Sequence, residues 1–478
     1  GATMQVAGVD TLIGGTGTDV VSISTVGSTM LVSLVETLVG SVATDAITLG
    51  ASGSTLVVTL LDTLTGGAGT DFVTLTSEGS TLLVSLIETL TGTLAGTDVI
   101  TLGGSGNTLL ANNLDTLTGS SGTDFVTLTA TGNTLQLSGV EVLVGGAATD
   151  VITLSGGGPD QRRAIVNLDG TTATHVVTIG DTGSTFLVLN IDTLTGGAGT
   201  DLITVVTQGS TMLVSLVETL TGSVGTDVIT LGSSGGTLVV GGIDTLTGGS
   251  GADFATLNSA GSTLQLSLVE TLVGGAGTDV VTLSGGGTVL LRGIETLIGT
   301  SATDLVVIGD TGSTFLVLNI DTLTGGAGTD LITIATQGST MLVSLVETLT
   351  GDVGTDVITL NSGGVSLLVG GVDTLTGGSG ADFATLNSAG STLLLSLVET
   401  LVGGVGTDVV TLASNGSTLI LRGIETLVGS STTDVVTIGN TGATIQVTAI
   451  DTLTGGAGTD VVSITTTGST FLVSLVET

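Results

Sequence analysis

Carboxylates are the titratable side chains that this sequence holds in number and in register. Asp and Glu total 41, against four Arg, no Lys and one His, for a net charge of −37 over 478 residues. They fall in two rows. The acid of a "(V/I)(E/D)TL" phrase stands at Asp10, Glu36, Asp62 and Glu88 and onward to Asp451 and Glu477, almost always 26 residues apart. The Asp of a "GTD" phrase runs nine residues behind it, from Asp19 and Asp45 to Asp434 and Asp460. Evenly repeated carboxylates suit hard cations, because Ca²⁺ takes oxygen ligands only. If position n lies over position n + 26, each row is a ladder with rungs about 4.8 Å apart. Unit charges at that spacing repel by about 0.9 kcal/mol even in water. Bound cations or backbone hydrogen bonds must then compensate them.

The elements that carry these acids are short strands. In residues 62–87, "DTL" reads as one strand, "TGGAGT" as a glycine loop, and "DFVTLT" as a second strand with Val73 and Leu75 inward. The turn "SEGS" leads to "TLLVSLI", with Leu82 and Val84 inward, a bend at Ser85–Leu86, and Ile87 inward again. Period-two apolarity, β-branched residues and glycine turns specify strands, and no window supports an amphipathic helix. A fixed short period of strands predicts an all-β parallel β-solenoid of about 18 coils, 26 residues and three strands to each. It is expected to run as one continuous domain over 1–478. Five-coil super-repeats are read near 51–180, 181–309 and 310–439, with one irregular coil at 157–175. That coil contains "GGGPDQRRAIVNLDG", read as an insertion or surface loop, and His175, which stands where the row has Asp.

Composition narrows the functions. Gly is 81 residues, Pro one, Cys, Trp and Tyr none, and 40% of the chain is apolar. Disordered acidic tails lack such aliphatic content, so the chain folds around small side chains. Nucleic acid and anionic membranes need a basic patch, which is missing. No apolar run is long enough to span a bilayer. Zero Cys removes thiol and disulfide chemistry. Catalysis needs one site that differs from its neighbours, and regular acids without Trp, Tyr or Lys offer none, so no enzyme activity is expected.

"GGAGTDVVT" at 274–282 fits Gly-Gly-x-Gly-x-Asp-x-aliphatic-x, and "DTLTGGAGTD" at 451–460 repeats it. In these phrases the sequence resembles the RTX family of haemolysin-type calcium-binding nonapeptide proteins. The resemblance implies a parallel β-roll, Ca²⁺ between loops of adjacent turns, and secretion into calcium-rich surroundings. Complete loops end at Asp19, Asp71, Asp201, Asp253, Asp279, Asp330, Asp382, Asp408 and Asp460, the candidate metal ligands. Worn copies, "GSVATD" at 40–45, "GTSATD" at 299–304 and "GSSTTD" at 429–434, lie between them.

The expected function is structural: a secreted repeat rod in a bacterial cell-surface layer, adhesin shaft or extracellular filament. Its partners would be divalent cations and copies of itself, end to end or within a longer chain. Ice binding or other surface adhesion by Thr ladders, from phrases such as "DTLTGG", is the alternative, and a β-helix polysaccharide enzyme comes last.

Overall fold

A computed structural model describes residues 1–76, 79–129, 132–145, 151–154, 158–163, 167–169, 175–179, 183, 185–206, 209–258, 261–309, 312–335, 338–361, 363–387, 390–413, 416–439, 441–465 and 472–475. Strands are the only regular structure among them, and no helix occurs. The chain forms two compact units, Gly1–Ile243 and Asp244–Thr478, each built in the same way.

The three strands of a repeat form where the sequence places them: Thr63–Thr65, Phe72–Leu75 and Thr81–Ser85 in the repeat considered above. Val73, Leu75, Leu82, Val84 and Ile87 are all buried. Period-two alternation is therefore sufficient to orient each strand. The all-β parallel solenoid holds as expected.

The turn is different from the expectation. Within the first unit, Val20–Ile23, Thr37–Val39, Thr55–Thr59 and Phe72–Leu75 pair in succession in one sheet. Thr29–Ser33, Ala46–Leu49, Thr63–Thr65 and Thr81–Ser85 pair in the other. Each strand pairs with the next but one, so a turn holds two strands, not three. Val20 lies beside Thr37, and Phe72 beside Thr89. Position n does not lie over n + 26, because a 26-residue repeat is one and a half turns. Strands of five, four and three residues rotate through each sheet. All three present small aliphatics on one face, so any of them can stack on any other.

A half-turn offset has a further consequence. Consecutive repeats put their loops on opposite edges of the solenoid. A five-repeat block, being seven and a half turns, puts its copies on opposite sheets. In the second unit, the identical "FATL" strands Phe254–Leu257 and Phe383–Leu386 thus belong to different sheets.

Among the described residues, each repeat also turns one corner in the left-handed backbone region. Leu34, Leu60, Leu86, Leu216, Leu268, Leu345 and Leu397 have φ between 53 and 57°. Gly139, Gly242, Gly293, Gly371 and Gly423 stand at the same point. A side chain there costs roughly 1–2 kcal/mol, and each of these leucines is nevertheless exposed.

In the irregular coil, residues 157, 164–166 and 170–174 lie outside those described. Gly158–Arg163 is a strand in register with Val142–Val144 on one side and His175–Ile179 on the other. That part continues the ladder and is no surface loop.

Candidate metal-binding loops

Each described loop Asp is buried at the edge of its unit and held by backbone amides. Asp71 receives the Ser54 amide on Oδ1 at 2.7 Å and the Gly67 amide on Oδ2 at 2.8 Å. Its own amide donates to Glu88 Oε2, one turn on, at 2.8 Å. The same pattern governs Asp279, Asp330, Asp382 and Asp408. All nine expected ligands are buried, and in all nine the amide of the second loop glycine reaches Oδ2. Amides thus supply the positive partners that the composition lacks, since hydrogen bonds to the ionised form offset burial. At Asp19 the effect is large enough to hold the carboxyl below the usual range. The Gly15 amide contributes most and the Ala2 amide next, while burial works against them.

The acid rows are consequently not continuous ladders. On one edge Asp19 is followed by Glu36, then Ser54, then Asp71. On the other, Asp45 is followed by Asp62, then Ser80, then Asp98. Two acids alternate with one neutral turn, which relieves the repulsion that an unbroken column would carry. Complete loops such as those of Asp19 and Asp71 recur on one edge only every third turn, about 14 Å apart at the usual strand spacing. None of the nine lies against another on the next turn, so an ion shared between adjacent glycine loops has no place here.

The glycines are explained by close approach. A Cβ on Gly66 would lie 1.7 Å from the carbonyl oxygen of Leu86, the left-handed corner of the next turn. Gly40 meets the Leu60 carbonyl at 1.9 Å in the same way, in a worn loop. The second glycine is approached from the preceding turn. A Cβ on Gly67 would meet the Gly50 oxygen at 2.0 Å and the Leu49 oxygen at 3.1 Å. Gly326, Gly378, Gly404 and Gly456 are approached by equivalent carbonyl pairs.

Worn loops carry a different device that sequence reasoning missed. Ser41 donates its amide (2.6 Å) and its hydroxyl (3.0 Å) to Asp45 Oδ2, and its Oγ accepts the Ala43 amide at 3.1 Å. Thr300 and Ser430 repeat this arrangement on Asp304 and Asp434. Thr93, Ser120 and Ser223 also turn a hydroxyl onto their loop Asp. The available signal was the second loop residue, which is a side chain that caps its own turn wherever it is not Gly.

Asp304 shows what happens when the register slips. The turn before it is one residue short, so the Gly287 amide goes to the Thr303 carbonyl and Asp304 Oδ1 is left buried with no hydrogen bond. His175 fits its column: buried, with its amide donating to Asp192 Oδ2 at 2.8 Å, as a row Asp would.

The residues present fit Ca²⁺ by chemistry. Among the described residues no three Asp, Glu or His side chains gather closely enough to hold a metal. Ligands would therefore be mainly carbonyls, and the second-glycine cradle supplies pairs of them beside a carboxylate. A carboxylate has about four lone-pair sites, and each Asp71 oxygen accepts a single hydrogen bond.

Comparison with known families matches the RTX calcium-binding nonapeptide repeat (4 copies) at residues 6–22, 62–77, 190–204, 240–259, 319–333, 369–387 and 448–463. No curated protein and no solved structure matches. Each matched stretch contains one complete glycine loop, and none contains a worn loop. The chain therefore carries RTX calcium-binding nonapeptide repeats, and Ca²⁺ is the ion that such repeats bind.

Proposed function

We propose that this chain is a secreted structural repeat protein of the bacterial cell exterior, part of a surface layer, adhesin shaft or filament, stabilised by Ca²⁺. The ion is assigned to the loops of Asp19, Asp71, Asp201, Asp253, Asp279, Asp330, Asp382, Asp408 and Asp460, each with its neighbouring backbone carbonyls. One observation carries the structural reading: every described loop is a variation on one plan, and the same segments face both sheets. Such uniformity serves construction. It gives no single place where a reaction could be favoured, so the chain is read as no enzyme.

Thr ladders for ice are less well supported by the register. One outward column runs Ala46, Thr63, Leu83 and Thr101, where threonine alternates with aliphatics, and the neighbouring run Thr48, Thr65 and Ser85 ends at Gly103.

The calcium part is tested by chelation. With EDTA, the melting temperature and the β-sheet circular dichroism signal should both fall, and added Ca²⁺ should restore them. A chain indifferent to chelator sinks the assignment. The structural part is tested by electron microscopy of the calcium-loaded chain, where dispersed monomers without ordered assembly, alone or on cell envelopes, would count against it.

A further inference from the structure

The loops differ at one residue, and that residue travels with another a turn away. Where the second position is Gly, the acid receiving the loop Asp amide is Glu: Asp19 with Glu36, Asp71 with Glu88, Asp253 with Glu270, Asp279 with Glu295, Asp330 with Glu347 and Asp408 with Glu425. Where the second position has a side chain, that acid is Asp: Asp45 with Asp62, Asp98 with Asp115, Asp304 with Asp321, Asp356 with Asp373 and Asp434 with Asp451. Ser120 is the exception, since its loop Asp124 pairs with Glu141. Both acids accept the same amide hydrogen, so the hydrogen bond alone does not explain the choice. The loop's contents do.

In a Ser or Thr loop the carboxylate already receives a hydroxyl on the oxygen that a glycine loop leaves with one amide. That hydroxyl is itself engaged as an acceptor by an amide two residues on, as Ser41 is by Ala43. At Asp45 this gives Oδ2 two donors from within its own loop, the Ser41 amide and the Ser41 hydroxyl. Beside two of these loops lie grooves, one of about 610 Å³ bounded by Thr300, Asp321 and Ser339 and one of about 360 Å³ bounded by Ser41, Asp62 and Ser80. At Gly67, Gly326, Gly378 and Gly404 the side-chain space is instead approached by two carbonyl oxygens of the preceding turn, and the facing acid is the longer one.

We propose that the second loop residue determines the ion demand of each turn. Glycine loops with a facing Glu bind Ca²⁺, whereas Ser and Thr loops with a facing Asp replace the ion by their own hydroxyl and stand without it. This rests on the assignment of Ca²⁺ to the glycine loops. The solenoid then alternates calcium-dependent turns with calcium-independent ones, and the worn copies are a second working design.

Two measurements test it on the whole chain with Ca²⁺ itself as the probe. Hydrogen exchange with and without EDTA should show faster exchange on chelation at the Gly67, Gly275 and Gly326 amides and no change at Ser41, Thr300 and Ser430. An equal response in both classes overturns the proposal. Calcium stoichiometry by equilibrium dialysis should rise by one ion in Ser41→Gly/Asp62→Glu and stay constant in Ser41→Ala. An unchanged count in the double variant, with wild type still binding Ca²⁺, overturns the proposal alone. A wild type that binds no Ca²⁺ overturns the underlying assignment as well.

Discussion

The loop of Asp71 and the loop of Asp45 occupy equivalent points of the solenoid and solve one problem in two ways. Both bury a carboxyl group completely, both bind an amide from the preceding turn on Oδ1, and both direct their own amide to the next acid. One omits a side chain and lets neighbouring carbonyls into the space. The other keeps a side chain and closes the carboxylate with it. The difference teaches that backbone amides are the support common to both loops, whatever occupies the second position.

The largest effect should come from removing the carboxylate. Asp45→Ala and Asp71→Ala each leave two buried or part-buried amides without acceptors, those of Ser28 and Ser41 or of Ser54 and Gly67. At about 1–3 kcal/mol for each orphaned group, the loss should be about 4 kcal/mol, read by urea denaturation. In EDTA the two losses should match. With Ca²⁺ present, Asp71→Ala should cost more, and equal losses in calcium would erase the comparison.

Next come the first loop glycines, which both classes share. Gly66→Ala and Gly40→Ala force a Cβ against the carbonyls of Leu86 and Leu60. Each should lose about 3 kcal/mol, as overpacking against fixed backbone does. The two should agree whether or not Ca²⁺ is present, and a calcium-dependent difference would show that this glycine belongs to the ion site instead.

A smaller change, of opposite sign, is expected at the corners. Leu86 sits at φ 53° and is more than half exposed. Leu86→Gly removes left-handed strain of about 1–2 kcal/mol and adds a chain-entropy cost of about 0.5–1 kcal/mol. The melting temperature should rise slightly, and a fall would show that the exposed leucine is packed against something.

The smallest effect is acid sensitivity at Asp19. Its folded pKa is lowered by the Gly15 and Ala2 amides, so its contribution is full above the ordinary Asp value of about 3.9. That contribution is lost as pH falls through the lower folded value. A carbon-detected NMR titration should place Asp19 below the ordinary value, and Asp19→Asn should remove this part of the acid response. A midpoint at or above the ordinary value would contradict the amide account.

Much of the fold could be read directly. Alternation placed Val73, Leu75, Leu82 and Val84 inward, and the bend read at Ser85–Leu86 is a corner that proves left-handed. The stacking distance could not be read the same way. A sequence repeat reports when the chain resumes a pattern, whereas a ladder reports which strands touch, and three interchangeable strands per repeat allow the two to differ. Compensating pairs were the missed signal. Arg292 lies over Gly309 and Arg422 over Gly439, and Gly370 over Asn387, so a large residue faces a small one a turn away. The candidate site was legible at its Asp and glycines, but the capping hydroxyls were read as decay because they were judged against a glycine consensus.

The sequence by itself determined that this chain is made of strands, where each strand begins, which side chains enter the core and which loops carry an acid. Those are local matters of alternation, glycine and turn chemistry. Only the tertiary structure decided that a turn takes two strands, that repeats alternate between edges, and which acid faces which loop. These depend on the distance between backbones in neighbouring turns, which hydrogen-bond pairing sets and which no local pattern contains.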